Sequence, residues 1–431
     1  MIRSGTQVTA AVIAAASRLK IIGRAGVGVD NVDVPAATQR GVLVVNSPEG
    51  NTIAAAEHAL AMMLTLSRHI PQAHGGMRAG KWDRKKYVGN ELYKKTLGVV
   101  GLGKIGSHVA RVAQAMGMEV IAYDPFIAAD RAQRMQVKLL ELDELFRTAD
   151  YVTLHIPRTK DTENLVNAEL LRTMKPTARI VNCARGGVVD EAAIAEAINN
   201  GVIAGAGLDV YASEPLAEDS PLRAVERGLV LTPHLGASTE EAQENVAIDV
   251  AEQIRDVLLG LPARSAVNIP GLSAEIMERL KPHLQLAETV GLLVSQLAGG
   301  HVKEMELRLQ GEFASHPSQP LVIAALKGLL SAGLGDSINF VNASLEAKAR
   351  GIQVLEVKDE SSRDFAGGSL QITTRGDQGS RSVTGAVFAD GDLRITSIDA
   401  FPVNVTPSSH MLFTRHRDMP GIIGHLGSLP N

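Results

Sequence analysis

The chain has 431 residues, 45% of them hydrophobic, and a formal net charge of −4. That length holds two to four domains with ample core, and the slightly acidic balance leaves no electrostatic footprint for nucleic acid or an anionic membrane. A single cysteine, Cys183, excludes an internal disulfide and fits a reducing cytoplasm, and no run approaches the roughly 18 apolar residues of a membrane span.

The alanine-rich stretch 8–16 is followed by Arg18 and Lys20. It reads as an amphipathic helix with Thr9 as N-cap, not as a signal peptide. A strand over 19–23, a glycine-rich turn from Gly26 to Asn31, a helix over 34–40 and a strand over 42–46 follow. Such alternation predicts a parallel sheet. Residues 52–69 form a long helix with Ala55, Ala59, Met62, Met63 and Leu66 at helical spacing.

The stretch 96–125 organises the rest. An apolar strand (97–100) runs into Gly101, Gly103 and Gly106, a helix covers 104–116, and a second strand (120–123) ends at Asp124, 23 residues after Gly101. Gly101 makes the tight turn, Gly103 lets the backbone approach a pyrophosphate, and Gly106 packs the helix close to the strand. The helix N-terminus offers free N–H groups to phosphate. An acid at the second strand's end accepts from the ribose hydroxyls and repels a 2′-phosphate, which favours NAD over NADP. A lone G-x-G-x-x-G specifies little; with strand, helix, strand and acid in order it specifies a dinucleotide site.

Alternation continues to about residue 233. A helix over 240–261 and a linker flanked by Pro262 and Pro270 follow. Beyond it the texture becomes α+β: alternation over 305–313, helical spacing over 320–330 and 342–350, and strands over 369–374, 382–388 and 393–398 with a turn at Asp390-Gly391. The end reads as a strand over 411–414, a turn over 418–421 and a helix from Ile422.

Three strand-end signatures carry chemistry. Asn182-Cys-Ala-Arg-Gly-Gly187 presents Arg185, whose planar fork suits a carboxylate. The stretch 206–215 ends in acids, among them Asp209 and Glu214, and 232–239 sets His234 between a proline and a leucine-glycine pair. Hydride removal from a secondary alcohol needs a base for the hydroxyl proton, a carboxylate that fixes the base's tautomer, and a cation that clamps an acidic substrate. Histidine, glutamate and arginine supply these.

These motifs resemble the D-isomer-specific 2-hydroxyacid dehydrogenases over residues 1 to about 265, on Gly23-Arg-Ala-Gly-Val-Gly-Val-Asp-Asn-Val-Asp33, Gly80-Lys-Trp-Asp-Arg-Lys-Lys86, Gly101-Leu-Gly-Lys-Ile-Gly106, Asn182-Cys-Ala-Arg-Gly-Gly187 and Pro233-His-Leu-Gly-Ala-Ser-Thr239. The resemblance implies Arg185, Glu214 and His234 as the catalytic set. It implies NAD contacts at Gly101, Gly103, Lys104, Ile105, Gly106, Asp124, Ile156, Pro157, Cys183, Ala184, Asp209, Gly236 and Ala237. Substrate contacts are implied at Arg3, Arg24, Val27, Gly28, Asn31, Arg84 and Lys85; no metal is implied. Residues 266–405 resemble the intervening domain of the family's long-form phosphoglycerate-oxidising branch, and 406–431 the opening of an ACT domain.

The implied architecture is an α/β, doubly wound Rossmann NAD domain (48–236) and a flavodoxin-like α/β substrate domain (1–47 with 237–265). An α+β intervening domain and the ACT start follow. Both the substrate and ACT domains are expected to be incomplete, the former at its N-terminal part, so serine inhibition is not expected of this chain. The implied reaction is NAD-dependent oxidation of 3-phosphoglycerate to 3-phosphohydroxypyruvate, the first step of phosphorylated L-serine biosynthesis, in a cytoplasmic homodimer or homotetramer with no nucleic-acid or membrane partner. Two other readings stay open on sequence: a glyoxylate or hydroxypyruvate reductase, and a non-catalytic NAD-sensing interaction protein.

Overall fold

At the N-terminus, caps written into the sequence start the helices. The Thr9 hydroxyl accepts from the Val12 N–H at 3.4 Å to begin helix Ala10–Ala15, and the Asp33 carboxylate accepts from the Ala36 N–H at 3.0 Å to begin helix Val34–Gln39. Between and after them, β1 (Ile21–Arg24) and β2 (Leu43–Asn46) form a two-stranded sheet. The computed structural model describes residues 1–269, 274–360, 368–388, 391–399 and 401–414, with positions 420, 421, 424, 427 and 428. It divides into two units, one of Met1–Gln7, Gly23–Asn31 and Val45–Gly260, the other of Val8–Ile22, Val32–Val44 and Leu261–Asn431.

The first unit is built on seven parallel strands: β3 (Thr96–Val100), β4 (Glu119–Tyr123), β5 (Lys138–Leu139), β6 (Tyr151–Leu154), β7 (Arg179–Asn182), β8 (Gly205–Leu208) and β9 (Leu229–Leu231). Their spatial order is β5-β4-β3-β6-β7-β8-β9, every neighbouring pair parallel. The chain therefore winds outward from β3 through β4 and β5, then returns to β3's other side at β6. That reversal opens a crevice beyond the carboxyl ends of β3 and β6, the place where such folds bind ligands. Tyr151 to Leu154 are buried at every position, the reading of a strand covered on both faces.

The second unit contains a six-stranded mixed sheet of β10 (Val302–Gln310), β11 (Gln353–Asp359), β12 (Ser369–Gly376), β13 (Gly379–Val387), β14 (Leu393–Ile398) and β15 (Phe401–Val405), ordered β11-β10-β12-β13-β14-β15. Only the β10–β11 pair is parallel. Alternation divides the faces. Met305, Leu307 and Leu309 are buried, with Leu370 and Ile372 beside them. On the other face of β10 and β12, Arg375 pairs with Glu304 and Glu306, and Arg308 with Glu306. Helices Ala274–Ala298 and Ser318–Leu334 complete the core.

Two sequence expectations change here, and one unassigned stretch gains an element. Residues 411–414 form no strand, so the expected ACT opening has no regular element there, while Asp418, Met419 and Ile422 lie outside the described residues, as does Asp390 of the expected hairpin turn. The 25-residue helix Ala274–Ala298, which runs through Pro282, lies where no element is expected from the sequence. The helix expected over 240–261 stops at Leu258, where the Leu259 N–H closes on the carbonyls of Arg255 and Asp256.

Candidate active site

The crevice begins at the end of β3. Gly101 has φ 95° and donates its N–H to the Tyr123 carbonyl at 2.8 Å. A Cβ there would stand 2.7 Å from the His155 carbonyl oxygen, and one at Gly106 would overlap the carbonyl oxygen of Gly101. At Gly103, by contrast, a Cβ would meet nothing within 4 Å. The backbone is thus folded tightly beneath the loop and left open above it. Helix Lys104–Ala115 starts there with no capping side chain, so its first N–H groups and positive dipole end face the open position. Asp124 at the end of β4 accepts from the N–H of Leu102 (2.8 Å) and of Phe126 (2.9 Å), which fixes its carboxylate beside the loop. Lys104 pairs with Glu49. A cradle that is bare at one glycine, rich in N–H groups and flanked by an acid fits a dinucleotide pyrophosphate and its ribose.

Farther along the same sheet edge, β8 and β9 bring a histidine to a carboxylate. His234 Nδ1 lies 2.7 Å from Glu214 Oε2, and Glu214 Oε1 accepts from the Tyr211 N–H at 3.1 Å. Half of the His234 side chain remains exposed. The residue sits in the left-handed region at φ 54° and donates its N–H to the Asp209 carbonyl at 2.9 Å. Asp209 is fully buried. Its Oδ1 accepts from the Thr232 hydroxyl (2.5 Å) and the Leu235 N–H (2.7 Å), with His58 Nε2 3.1 Å away, and its Oδ2 accepts from the Gly236 N–H at 2.8 Å. Burial alone would raise this acid; the hydrogen bonds from His58, Thr232 and Leu235 outweigh it and hold it below the usual carboxylate range. Burial first, then the Asp209 charge, pushes the neighbouring Cys183 thiol up, so it stays protonated.

The end of β7 supplies the arginine. Asn182 fixes the turn by accepting from the Ala184 N–H (3.0 Å) and donating to the Arg185 carbonyl (3.0 Å). Arg185 Nε then lies 3.4 Å from Asp30 Oδ2, and a Cβ on Gly28 would collide with that guanidinium. Two more guanidiniums share the neighbourhood. Arg24 is lowered from its ordinary value by burial and then by Arg185 and Arg3, against the raising effect of Asp30. Its Nε is buried and has no hydrogen-bond partner among the described residues. Three cations around one acid leave net positive potential, the condition for holding an anion.

Two expected residues point elsewhere. Asn31 donates to the carbonyls of Arg3 (2.9 Å) and Thr6 (2.6 Å), tying down the first strand-like segment, and the Val27 carbonyl accepts from the Asn46 amide at 2.6 Å. Arg84 and Lys85 occupy an exposed 3-10 turn, Arg84–Tyr87, and among the described residues neither is bonded to the arginine cluster. Ile156 and Pro157 follow β6 at the crevice, and Ala237 follows the Asp209-bound loop.

Residues 60–236 match the family described as "D-isomer specific 2-hydroxyacid dehydrogenase, NAD binding domain", and residues 279–399 match "D-3-phosphoglycerate dehydrogenase intervening domain". The chain is similar to the D-3-phosphoglycerate dehydrogenase of Synechocystis sp., 63% identical over 430 residues, which are 100% of this chain and 77% of that one. The chain belongs to the D-3-phosphoglycerate dehydrogenase family. The Archaeoglobus fulgidus member is 45% identical, over 100% of this chain and 81% of its own length. Among solved structures, the apo D-lactate dehydrogenase of Escherichia coli superposes with TM-score 0.56 at 30% identity, over 62% of this chain and 84% of that one. NAD is the cofactor of the D-3-phosphoglycerate dehydrogenase family's matched domain, and the glycine cradle fits it. Sequence reasoning about this family member missed His58 and Thr232; the one available signal was a histidine on the alanine-rich face of the Thr52–Arg68 helix.

Proposed function

We propose that the chain oxidises D-3-phosphoglycerate to 3-phosphohydroxypyruvate with NAD, opening phosphorylated L-serine biosynthesis. The observation that carries this reading is the His234–Glu214 pair at 2.7 Å on the sheet edge that also presents Arg185. Glu214 accepts a hydrogen bond from Nδ1–H, which leaves Nε2 free to take the hydroxyl proton of a 2-hydroxy acid and stabilises the imidazolium that results. Arg185 grips the substrate carboxylate and polarises the carbon–oxygen bond, while Arg3 and Arg24 add positive field for a multiply charged anion. Bound NAD supplies the hydride acceptor. Arg84 and Lys85 serve the phosphate in a neighbouring subunit of a homodimer or homotetramer. We assign residues 48–236 to the cofactor domain, 1–47 with 237–265 to the substrate domain, 266–405 to the intervening domain and 406–431 to an ACT start. No described helix is long and apolar enough to cross a membrane; a cytoplasmic site of action is part of the proposal.

The test compares reduction of 3-phosphohydroxypyruvate and hydroxypyruvate with NADH and NADPH. The phosphorylated substrate with NADH is expected to win by two or more orders of magnitude in kcat/KM, about 3 kcal/mol of transition-state binding. Equal rates on both substrates would establish a general hydroxypyruvate reductase instead. His234→Ala is expected to lose turnover and keep NAD binding; unchanged activity would remove the histidine from the mechanism.

A further inference from the structure

Among the described groups around the crevice, His58 has a specific partner and no assigned role. It projects, partly buried, from the Thr52–Arg68 helix, whose buried residues are Ala54, Ala55, Ala56, Ala59, Leu60, Met62, Met63, Leu66 and Ser67, none of them titratable. Its Nε2 lies 3.1 Å from Asp209 Oδ1 and 3.2 Å from Thr232 Oγ1. With Cys183 it brings nitrogen, sulfur and oxygen within 4.8 Å of one another. Within that set the carboxylate is engaged by hydrogen bonds: it receives Thr232, Leu235, Gly236 and His58.

The backbone N–H groups that converge on Asp209 include three from the loop that carries His234. Its backbone carbonyl takes the His234 N–H at 2.9 Å, and its carboxylate takes the next two N–H groups, Leu235 and Gly236. A left-handed backbone at a non-glycine residue costs about 1 kcal/mol or more and persists only where the surroundings dictate it. Here the carboxylate dictates it, provided that it stays ionised and correctly turned. Thr232 and His58 are the side chains that turn it.

We propose that His58 is a positioning residue for the acid/base loop: its Nε2–H fixes the Asp209 carboxylate, and through it the backbone that presents His234 to substrate. The inference rests on His234 being the acid/base group. The other titratable groups beside the carboxylate, Cys183 and Tyr211, are both pushed up, chiefly by burial, and stay neutral near pH 7. Neither replaces the donor. Among the causes that lower Asp209, the His58 hydrogen bond is the largest.

The experiment uses the whole chain as His58→Leu and His58→Gln, with 3-phosphohydroxypyruvate and NADH. His58→Leu is expected to lower kcat 10- to 100-fold, with its acid limb moved to higher pH because Asp209 protonates more readily. His58→Gln, which restores an N–H, is expected to recover kcat to within about threefold. A kcat for His58→Leu within twofold of wild type, or a loss that follows thermal stability and that glutamine does not rescue, would overturn the proposal. The crystal structure of His58→Leu gives a readout independent of turnover: residues 232–236 displaced, with His234 out of the left-handed region, support it, and an unmoved loop overturns it. An inactive wild-type chain counts against the reaction and leaves this structural arm decisive.

Discussion

Glycine lets backbone approach backbone in both units of this molecule, and two of those approaches have different outcomes. In the first unit Gly106 lets a helix lie against the turn at Gly101, and the tightness below leaves Gly103 open above. In the second unit Gly291 and Gly328 do the same for helices Ala274–Ala298 and Ser318–Leu334: a Cβ at Gly291 would overlap the Ala325 carbonyl oxygen, and one at Gly328 the Glu288 carbonyl oxygen. Beside that helix crossing Leu321, Ala324, Ala325 and Val290 are all buried. Close approach at a strand's carboxyl end exposes N–H groups and makes a site; close approach between two helices satisfies its own groups and makes only core.

The pair of substitutions Gly106→Ala and Gly328→Ala tests that contrast directly. Each forces a methyl into a backbone carbonyl, so each is expected to cost about 2–3 kcal/mol of stability in its own unit. Gly106→Ala is expected to weaken NAD binding more than 100-fold, read by fluorescence titration. Gly328→Ala is expected to lower the melting temperature and leave NAD affinity within twofold. Equal effects on NAD would collapse the distinction.

Legibility in the sequence follows the same division. The cofactor cradle was readable because its parts are contiguous: strand, three glycines, helix, strand and acid all lie within residues 96–124. Arg185, Glu214 and His234 were readable as strand-end residues, though only the parallel order β7-β8-β9 makes them neighbours. In the second unit β12, β13 and β14 showed through their alternation, whereas β15 carries Pro402 at the sheet's edge and is mostly exposed, which strips the pattern away. Helix Ala274–Ala298 was hidden by Pro270 before it and Pro282 within it, although Leu280, Leu284, Ala287, Val290 and Val294 kept helical spacing. The Asp209 network was illegible for another reason. Its donors come from positions 58, 232, 235 and 236, and no local rule joins a helix 150 residues upstream to a strand-end acid.

A smaller effect is expected at Asp124. Both oxygens are held by backbone N–H groups, so the charge stays beside the place where the adenosine ribose is proposed to sit. Asp124→Ser removes the acceptor for the ribose hydroxyls and the repulsion against a 2′-phosphate. The ratio of kcat/KM for NADH over NADPH is expected to fall 10- to 100-fold, up to about 2.7 kcal/mol. A ratio that does not move would assign cofactor choice to other residues of the crevice.

The smallest effect compares histidines of the two units under acid. His155, immediately after β6, is pushed down to about 4 by burial, with Nε2 3.0 Å from the Thr153 hydroxyl. His283 and His316, T-stacked at 4.9 Å in the second unit, are lowered too, chiefly by burial, with His316 repelling His283 and Glu312 pulling both the other way. A histidine that is neutral when folded and titrates near 6.5 when unfolded gives the unfolded chain the extra proton. Its contribution is complete above about pH 6.5 and is lost as the pH falls towards about 4. Between pH 7 and pH 5.5 the loss from His155 is about 1.2 kcal/mol. Asp209 and Asp150 are held below the usual carboxylate range, so their contribution disappears only at lower pH and leaves this window clear. Urea unfolding at pH 7 and 5.5 should therefore show the first unit losing that increment in the wild type and keeping it in His155→Gln, while the second unit's own decline is unchanged by the substitution. If the variant loses as much as the wild type, another group governs the acid limb of the first unit.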